Sequence, residues 1–341
     1  MKTTAIGSLP HPNVDSALAF AFGVDLPFLP QIPIRNPWEY MIPQALDGLP
    51  GLRVERDGSA LLDLDVWNGR YRWLEERLDR AFSDMSSATA FSEFEPGPAT
   101  SSCWQPFLWE LEERAVSRAK IQIAGPLTSQ WSIRTVQGSP LDPRPEVSTQ
   151  VFRLVLARAL GMTRRMRNQG TEPVLFLDEP GMFGLSRTHA RHVLGMQELK
   201  LLIQTIKKED VPVAIHCCSD TDWSWVLSSG IDLLSIDVSV SLPSLLGHAP
   251  ALTGFLNGGG RLALGIVPSP KRPGDLEALS ARGLLGDLER QITATSSLDT
   301  ASRKAILSES LLTPACGLAL HTPEEAENVL ALLRELSQFH S

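Results

Sequence analysis

Short apolar runs rich in Val, Ile and Leu alternate with longer amphipathic stretches along this chain, and that alternation restricts the fold more than any other property. Runs of this kind read as strands buried on both faces, and the helical stretches between them read as parallel crossovers. About eight runs are present, at residues 3–8, 26–32, 119–124, 173–178, 212–217, 231–237, 261–267 and roughly 305–312. Residues 147–167 and 188–207 are the clearest helical patterns between them. Eight strand–helix units predict an α/β protein, a (β/α)8 TIM barrel. A length of 341 residues suits a single barrel domain spanning 1–341,. Residues 51–110 are too long for one connection and are expected to form an insertion between the second and third barrel strands. Within it, residues 61–66 alternate like a hairpin strand and 97–102 read as a loop.

Net charge and cysteine count narrow the partners. A formal charge of −8 argues against non-specific nucleic-acid binding, which depends on Lys and Arg neutralising phosphates,. The first residues contain no apolar core of a signal peptide, and nowhere do about 18 apolar residues follow one another. A cytoplasmic protein with no membrane partner is therefore expected. Four cysteines in so long a chain cannot form a disulfide framework,. They are core residues, reactive thiols or metal ligands.

In a barrel of this type chemistry sits at the C-terminal strand ends. Polar residues fall there in order: Ser8, Gln31, Thr128 to Trp131, Asp178-Glu179-Pro180, His216-Cys217-Cys218, Asp237, Pro268-Ser269-Pro270 and Cys316-Gly317. Residues two apart on an extended segment share a face, so His216 and Cys218 can meet one ion while Cys217 turns away. Asp237 and Cys316 come from strand ends that a closed barrel brings to the same rim. One nitrogen, two sulfurs and one oxygen favour Zn2+, because thiolates are too soft for Mg2+ or Ca2+. The competing reading is a packed strand, since free cysteine behaves as a small hydrophobe.

His216-x-Cys218, Asp237 closing Asp232-Leu233-Leu234-Ser235-Ile236-Asp237, and Cys316 in Thr313-Pro314-Ala315-Cys316-Gly317-Leu318 together resemble the zinc set of the C-terminal catalytic barrel of cobalamin-independent methionine synthases. The resemblance extends to Ile6-Gly7-Ser8-Leu9-Pro10, to Ala124-Gly125-Pro126-Leu127-Thr128 with Trp131, and to Leu177-Asp178-Glu179-Pro180. It implies a zinc-dependent methyltransferase in which the metal holds a thiol acceptor, homocysteine in methionine biosynthesis or a related thiol. The sulfur would take a methyl group from a folate- or corrinoid-type donor, the latter carried free or on a corrinoid protein. It further implies metal ligands His216, Cys218, Cys316 and Asp237, with Asp178 and Ser8 on the acceptor and Trp131 offering a flat face to a ring. Two thiolates and a carboxylate leave the metal electron-rich, which suits thiol alkylation better than hydrolysis.

The match departs from that family in places. Asp237 stands where Glu is usual. The neighbourhood of Gln31 holds no carboxylate where an acid is expected, residues 265–270 hold no histidine, and the acid expected beyond the Asp-Glu-Pro motif falls near Gly184. The second barrel of full-length methionine synthases is also expected to be lacking. The expected donor or acceptor therefore differs from the classical pair. The related corrinoid-dependent thiol methyltransferases and the metal-free uroporphyrinogen decarboxylases share the architecture, although the strand ends offer few arginines to a propionate, Arg35 being the clearest. A zinc- or cofactor-binding barrel without transfer activity is the non-enzymatic alternative.

Other polar residues have structural readings. Adjacent Asp178 and Glu179 should point to opposite faces, which leaves Glu179 a salt bridge or hydrogen bond. Thr322-Pro323-Glu324-Glu325 reads as a capped helix start with His321 at its entry. Residues 258–260 read as a helix exit. His11 reads as a solvent-facing loop histidine that could instead line the mouth, and Cys103 as an ordinary thiol.

Overall fold

The computed structural model describes residues 1–141, 144–269 and 274–339; Pro270 of the predicted turn lies outside them. In chain order the elements are α1 (Val14–Ala21), α2 (Met41–Ala45), β1 (Leu52–Val54), β2 (Ala60–Leu62), α3 (Leu64–Ser83) and α4 (Trp104–Glu113). Strand and helix then alternate: β3 (Arg118–Ala124), α5 (Pro126–Ser132), the short β4 (Arg134–Thr135), α6 (Pro145–Asn168), β5 (Glu172–Asp178), α7 (Ala190–Lys207) and β6 (Val213–Cys217). They continue as α8 (Trp223–Leu227), β7 (Leu233–Asp237), α9 (Val238–Gly247), α10 (Ala249–Asn257), β8 (Arg261–Val267), α11 (Ala281–Ala294), α12 (Thr300–Glu309), β9 (Leu311–Pro314) and α13 (Pro323–Gln338). Among the described residues no helix is long and apolar enough to cross a membrane.

Six of these strands form one parallel sheet in the order β3-β5-β6-β7-β8-β9. Helices cover the outer face, where Ile121, Leu175, Leu177, Ile215, Cys217 and Leu234 join one large apolar core. The alternate positions Val174, Phe176, Ala214 and Ala263 form a second, inner cluster. That two-sided burial is why these strands read as continuous apolar runs instead of alternating ones.

The sheet's edges, β3 and β9, do not end in solvent. Residues 3–8 and 26–32 run extended between them, joined by single parallel bridges: Thr3 to Leu312, Ser8 to Gln31, and Phe28 to Lys120. Two side chains from β3 add hydrogen bonds that these short contacts lack. Lys120 Nζ donates to Ile6 O at 2.5 Å, and Gln122 Nε2 donates to Leu29 O at 2.7 Å. Gly7 fits here because its φ is +150° and a Cβ would come within 2.5 Å of Gln122 Nε2,.

Two boundaries differ from expectation. The apolar triplet Ala305-Ile306-Leu307 belongs to α12, capped by Asp299 through Ser302 N, and the strand starts only at Leu311. Its Ile306 is buried as the inward stripe of a helix, a pattern too short to tell from a buried strand,. Residues 61–66 divide likewise: β2 pairs antiparallel with β1, and Asp63 Oδ1 then accepts from Asp65 N and Val66 N and starts α3. The helix start at Thr322 is the expected capping box, with Glu325 reaching back to Thr322 N.

Candidate metal centre

Parallel register sets inward side chains of neighbouring strands level with one another. Asp178 on β5 stands opposite His216 on β6, and His216 opposite Ser235 on β7. The Ser235 hydroxyl lies 2.9 Å from His216 Nδ1, which leaves Nε2 to face the cavity,. Cys217 turns outward into the core, where its thiol meets Ser219 and burial raises its pKa. Cys218 follows on the inward side. Cys316 arrives from the segment after β9, its amide donating to Ser269 Oγ at 3.1 Å. Gly317 beside it leaves the Ser8 hydroxyl its place, because a Cβ there would fall 2.1 Å from Ser8 Oγ and displace it. Leu318 N completes the brace by donating to Ser8 O at 2.8 Å.

The outcome is a donor set: the ligand atoms of His216, Cys218 and Cys316 lie within 4.8 Å of one another. Among the described residues no other group of three such side chains comes as close. A hydrogen bond from Cys218 holds the Cys316 thiol down at about 4, helped by His216, while the same contact and burial push Cys218 up. Two sulfurs with one ready negative charge beside an imidazole are suited to a cation.

Asp178 completes the floor. It is 5% exposed, and its Oδ1 is buried without a hydrogen-bond partner. Burial pushes its carboxyl up to about 6 against the pull of His216 and Lys120. Glu179 points the other way. It accepts from Leu127 N, Thr128 N and Thr128 Oγ and so caps α5 in place of an N-cap side chain,.

These groups open into a cavity of about 240 Å³. Ser8, Gln31, Asp178, His216, Cys218 and Cys316 form its polar part, and Ile6, Tyr40, Met41, Pro180, Ala319 and Leu320 its walls. Among the described residues no Lys or Arg lines it, Arg35 included. Gln31 is held by donating to Gln44 Oε1 at 2.7 Å.

Ser8, Asp178, His216, Cys218 and Cys316 are thus brought together as the sequence predicts, and two expected residues are not. Asp237 is absent from the donor cluster. Its carboxylate caps α9, with Oδ1 accepting from Ser239 N at 2.8 Å and Ser239 Oγ at 2.7 Å. Trp131 does not line the cavity. It lies on the side of α5 toward α7, its ring 4.9 Å from that of His192 and 5.5 Å below Arg191 Cζ. His11 is buried against Phe20 instead of solvent-facing, and it lies outside the cavity lining. Cys103 is fully buried, its thiol pushed up to about 12.

Ser235, Tyr40, Met41 and Lys120 belong to the site or its support and are missed by sequence reasoning. Ser235 carried a signal, being two residues before Asp237 and hence on the same face. Tyr40 and Met41 carried none beyond their place after the second run.

No protein-family model matches the sequence, and no curated protein does. A solved methyltransferase from Methanosarcina mazei is similar in structure, with a TM-score of 0.57 and 15% sequence identity over 99% of this chain and 93% of that one. At that identity the likeness shows a shared fold.

Proposed function

We propose that the chain is a closed (β/α)8 barrel, with residues 3–8 and 26–32 as its first two staves and an insertion at about 51–110, acting as a zinc-dependent S-methyltransferase. The acceptor is a thiol held at the metal, and the donor is a folate- or corrinoid-type methyl carrier. The observation that carries this reading is the His216, Cys218 and Cys316 set, on three segments at one end of the sheet and open to a cavity. With Asp237 engaged at α9, the donors number three, which suits a tetrahedral ion with one position left for a ligand,. The similar Methanosarcina mazei protein is named a methyltransferase, which agrees with it.

Zinc, when bound, supplies the Lewis acidity that keeps an acceptor thiol deprotonated at neutral pH. The protein's own groups do the rest. Ser235 fixes the His216 ring so that Nε2 faces the two sulfurs. Cys218 and Cys316 would hold the ion as thiolates beside His216,. Asp178 and Ser8 orient the acceptor beside that position, and the apolar walls limit competing water.

Metal analysis of the purified protein beside Cys218→Ala tests the centre. Near-stoichiometric zinc is expected in the wild type, with most of it lost in the variant. A wild type free of zinc, or a variant that keeps it fully, rejects the reading. Methylation assays pairing thiols with methyl-folate and methylcobalamin then separate an enzyme from a barrel that only binds the metal.

A further inference from the structure

One wall of the cavity is built differently from its floor. Asp178 and His216 stand on strands of the main sheet, whereas Tyr40 and Met41 stand at the start of the short helix α2. Residues 36–44 are held in place largely by the stretch just before α4. Asn36 Nδ2 donates to Ala99 O at 2.6 Å, and Gln44 Nε2 donates to Thr100 O at 2.8 Å. Glu39, only 1% exposed, accepts from Ser102 N at 3.1 Å with one oxygen and from Ile32 N at 3.0 Å with the other. Glu39 and Gln44 thus each reach two ways, since Gln44 Oε1 also receives the cavity residue Gln31.

A second contact backs the same wall. The β1–β2 hairpin has three residues in each strand and little to hold it alone,. Its turn is closed by Gly58 N donating to Glu55 O, and Gly58 lies directly against the Tyr40 ring. A Cβ on Gly58 would fall 2.4 Å from both Cγ and Cδ2 of that ring. Tyr40 therefore meets the hairpin and also lines the cavity, so the position of the one bears on the width of the other.

We infer that Tyr40 is a specificity-determining residue: backed by the Gly58 turn and by the Glu39 and Gln44 clamps, it limits the bulk of the molecule that reaches Cys218 and Cys316. The inference rests on the proposed function only in taking that molecule to be a thiol. The cavity's 240 Å³ corresponds to roughly eight non-hydrogen atoms at ~30 Å³ each,. Tyr40→Ala removes about seven such atoms, which opens a space of the same order.

The wall is tested apart from the metal. In metal-free protein Cys218 and Cys316 are alkylated with iodoacetamide and with its N-naphthylmethyl derivative, and the ratio of the two rates is followed at each cysteine by mass spectrometry. Tyr40→Ala should raise the bulky-to-small ratio about tenfold, and Tyr40→Phe should leave it within about threefold. Should Tyr40→Ala lose its circular dichroism, Tyr40→Leu carries the same prediction at about threefold. Gly58→Ala drives a methyl group at the ring and should lower the ratio about threefold relative to Gly48→Ala, whose Cβ meets nothing within 4 Å,. A ratio unmoved at Tyr40, or moved alike by the two glycine variants, overturns the inference. Cobalt-substituted protein titrated with 1-propanethiol and 2-naphthylmethanethiol repeats the comparison through thiolate-to-metal absorption. The wild type should favour propanethiol, and Tyr40→Ala should reduce that preference about tenfold. If both thiols bind and the preference is unchanged, the inference alone falls. If neither perturbs the cobalt spectrum, the metal–thiol reading falls and the alkylation ratio still decides the wall.

Discussion

Replacing Ser235 by alanine removes the hydroxyl 2.9 Å from His216 Nδ1 without replacing any proposed ligand. The imidazole then loses its orienting partner, and zinc affinity should drop about 10–100-fold in competition with a chromophoric chelator. An unchanged affinity would show that packing alone holds the ring. His11 gives a separate test at this scale, far in role from the cavity. Burial holds its imidazole below the ordinary 6.5, even with Glu327 Oε1 at 3.5 Å. The unfolded chain therefore takes up the proton first as pH falls. Stability from this residue is present above pH 6.5 and is lost below it, while the raised carboxyls of Asp178 and Glu179 act in the opposite sense over the same range,. The His11 contribution is therefore read by difference: between pH 7.5 and pH 5 the urea midpoint should change less favourably in the wild type than in His11→Gln,.

Among elements, the first two extended segments are the most exposed to single changes, because single bridges and side chains from β3 hold them. Gly7→Ala sets a methyl group against Gln122 Nε2 at a φ of +150° and should cost about 1–3 kcal/mol in chemical denaturation,. The same change at Gly48, where a Cβ would meet nothing within 4 Å, isolates the cost of positive φ alone. Elements were legible where their apolar runs were bounded by polar strand ends, as in β5 and β6. They were misjudged where three apolar residues fitted either period, as at Ala305-Ile306-Leu307, and where one aspartate both closes a strand and caps a helix. Asp63 and Asp237 are both of the second kind: each stands at a strand end and spends its carboxylate on the first turn of the next helix. Sequence spacing reports where such a residue sits but not which hydrogen bonds have claimed its oxygens.

At the scale of the molecule, the proposed ligands sit on or just after strands already buried on both faces, so the scaffold does not depend on the ion for its shape. Stripping the metal should leave the far-UV circular dichroism unchanged while lowering Tm by roughly 5–10 °C, the linkage expected for a ligand well above its Kd. Collapse of the secondary structure on chelation would contradict this. Cys218 and Cys316 were recoverable from the sequence because the alternation of a strand and the rim of a barrel fix where a side chain emerges. Lys120 was not, since a lone lysine in an apolar run gives no sign that its ammonium bonds a carbonyl on another segment. The junction between Thr4 N and Leu312 O, with Leu312 N returning to Lys2 O, ties one of the earliest stretches of the chain to one of the latest. During synthesis residues 3–8 leave the ribosome long before β9 exists, so they must wait beside residues 26–32 with one edge unpaired. Pairing of β9 with residues 3–8 has to come late in folding, and nascent chains halted before β9 are where chaperone dependence and aggregation should concentrate,.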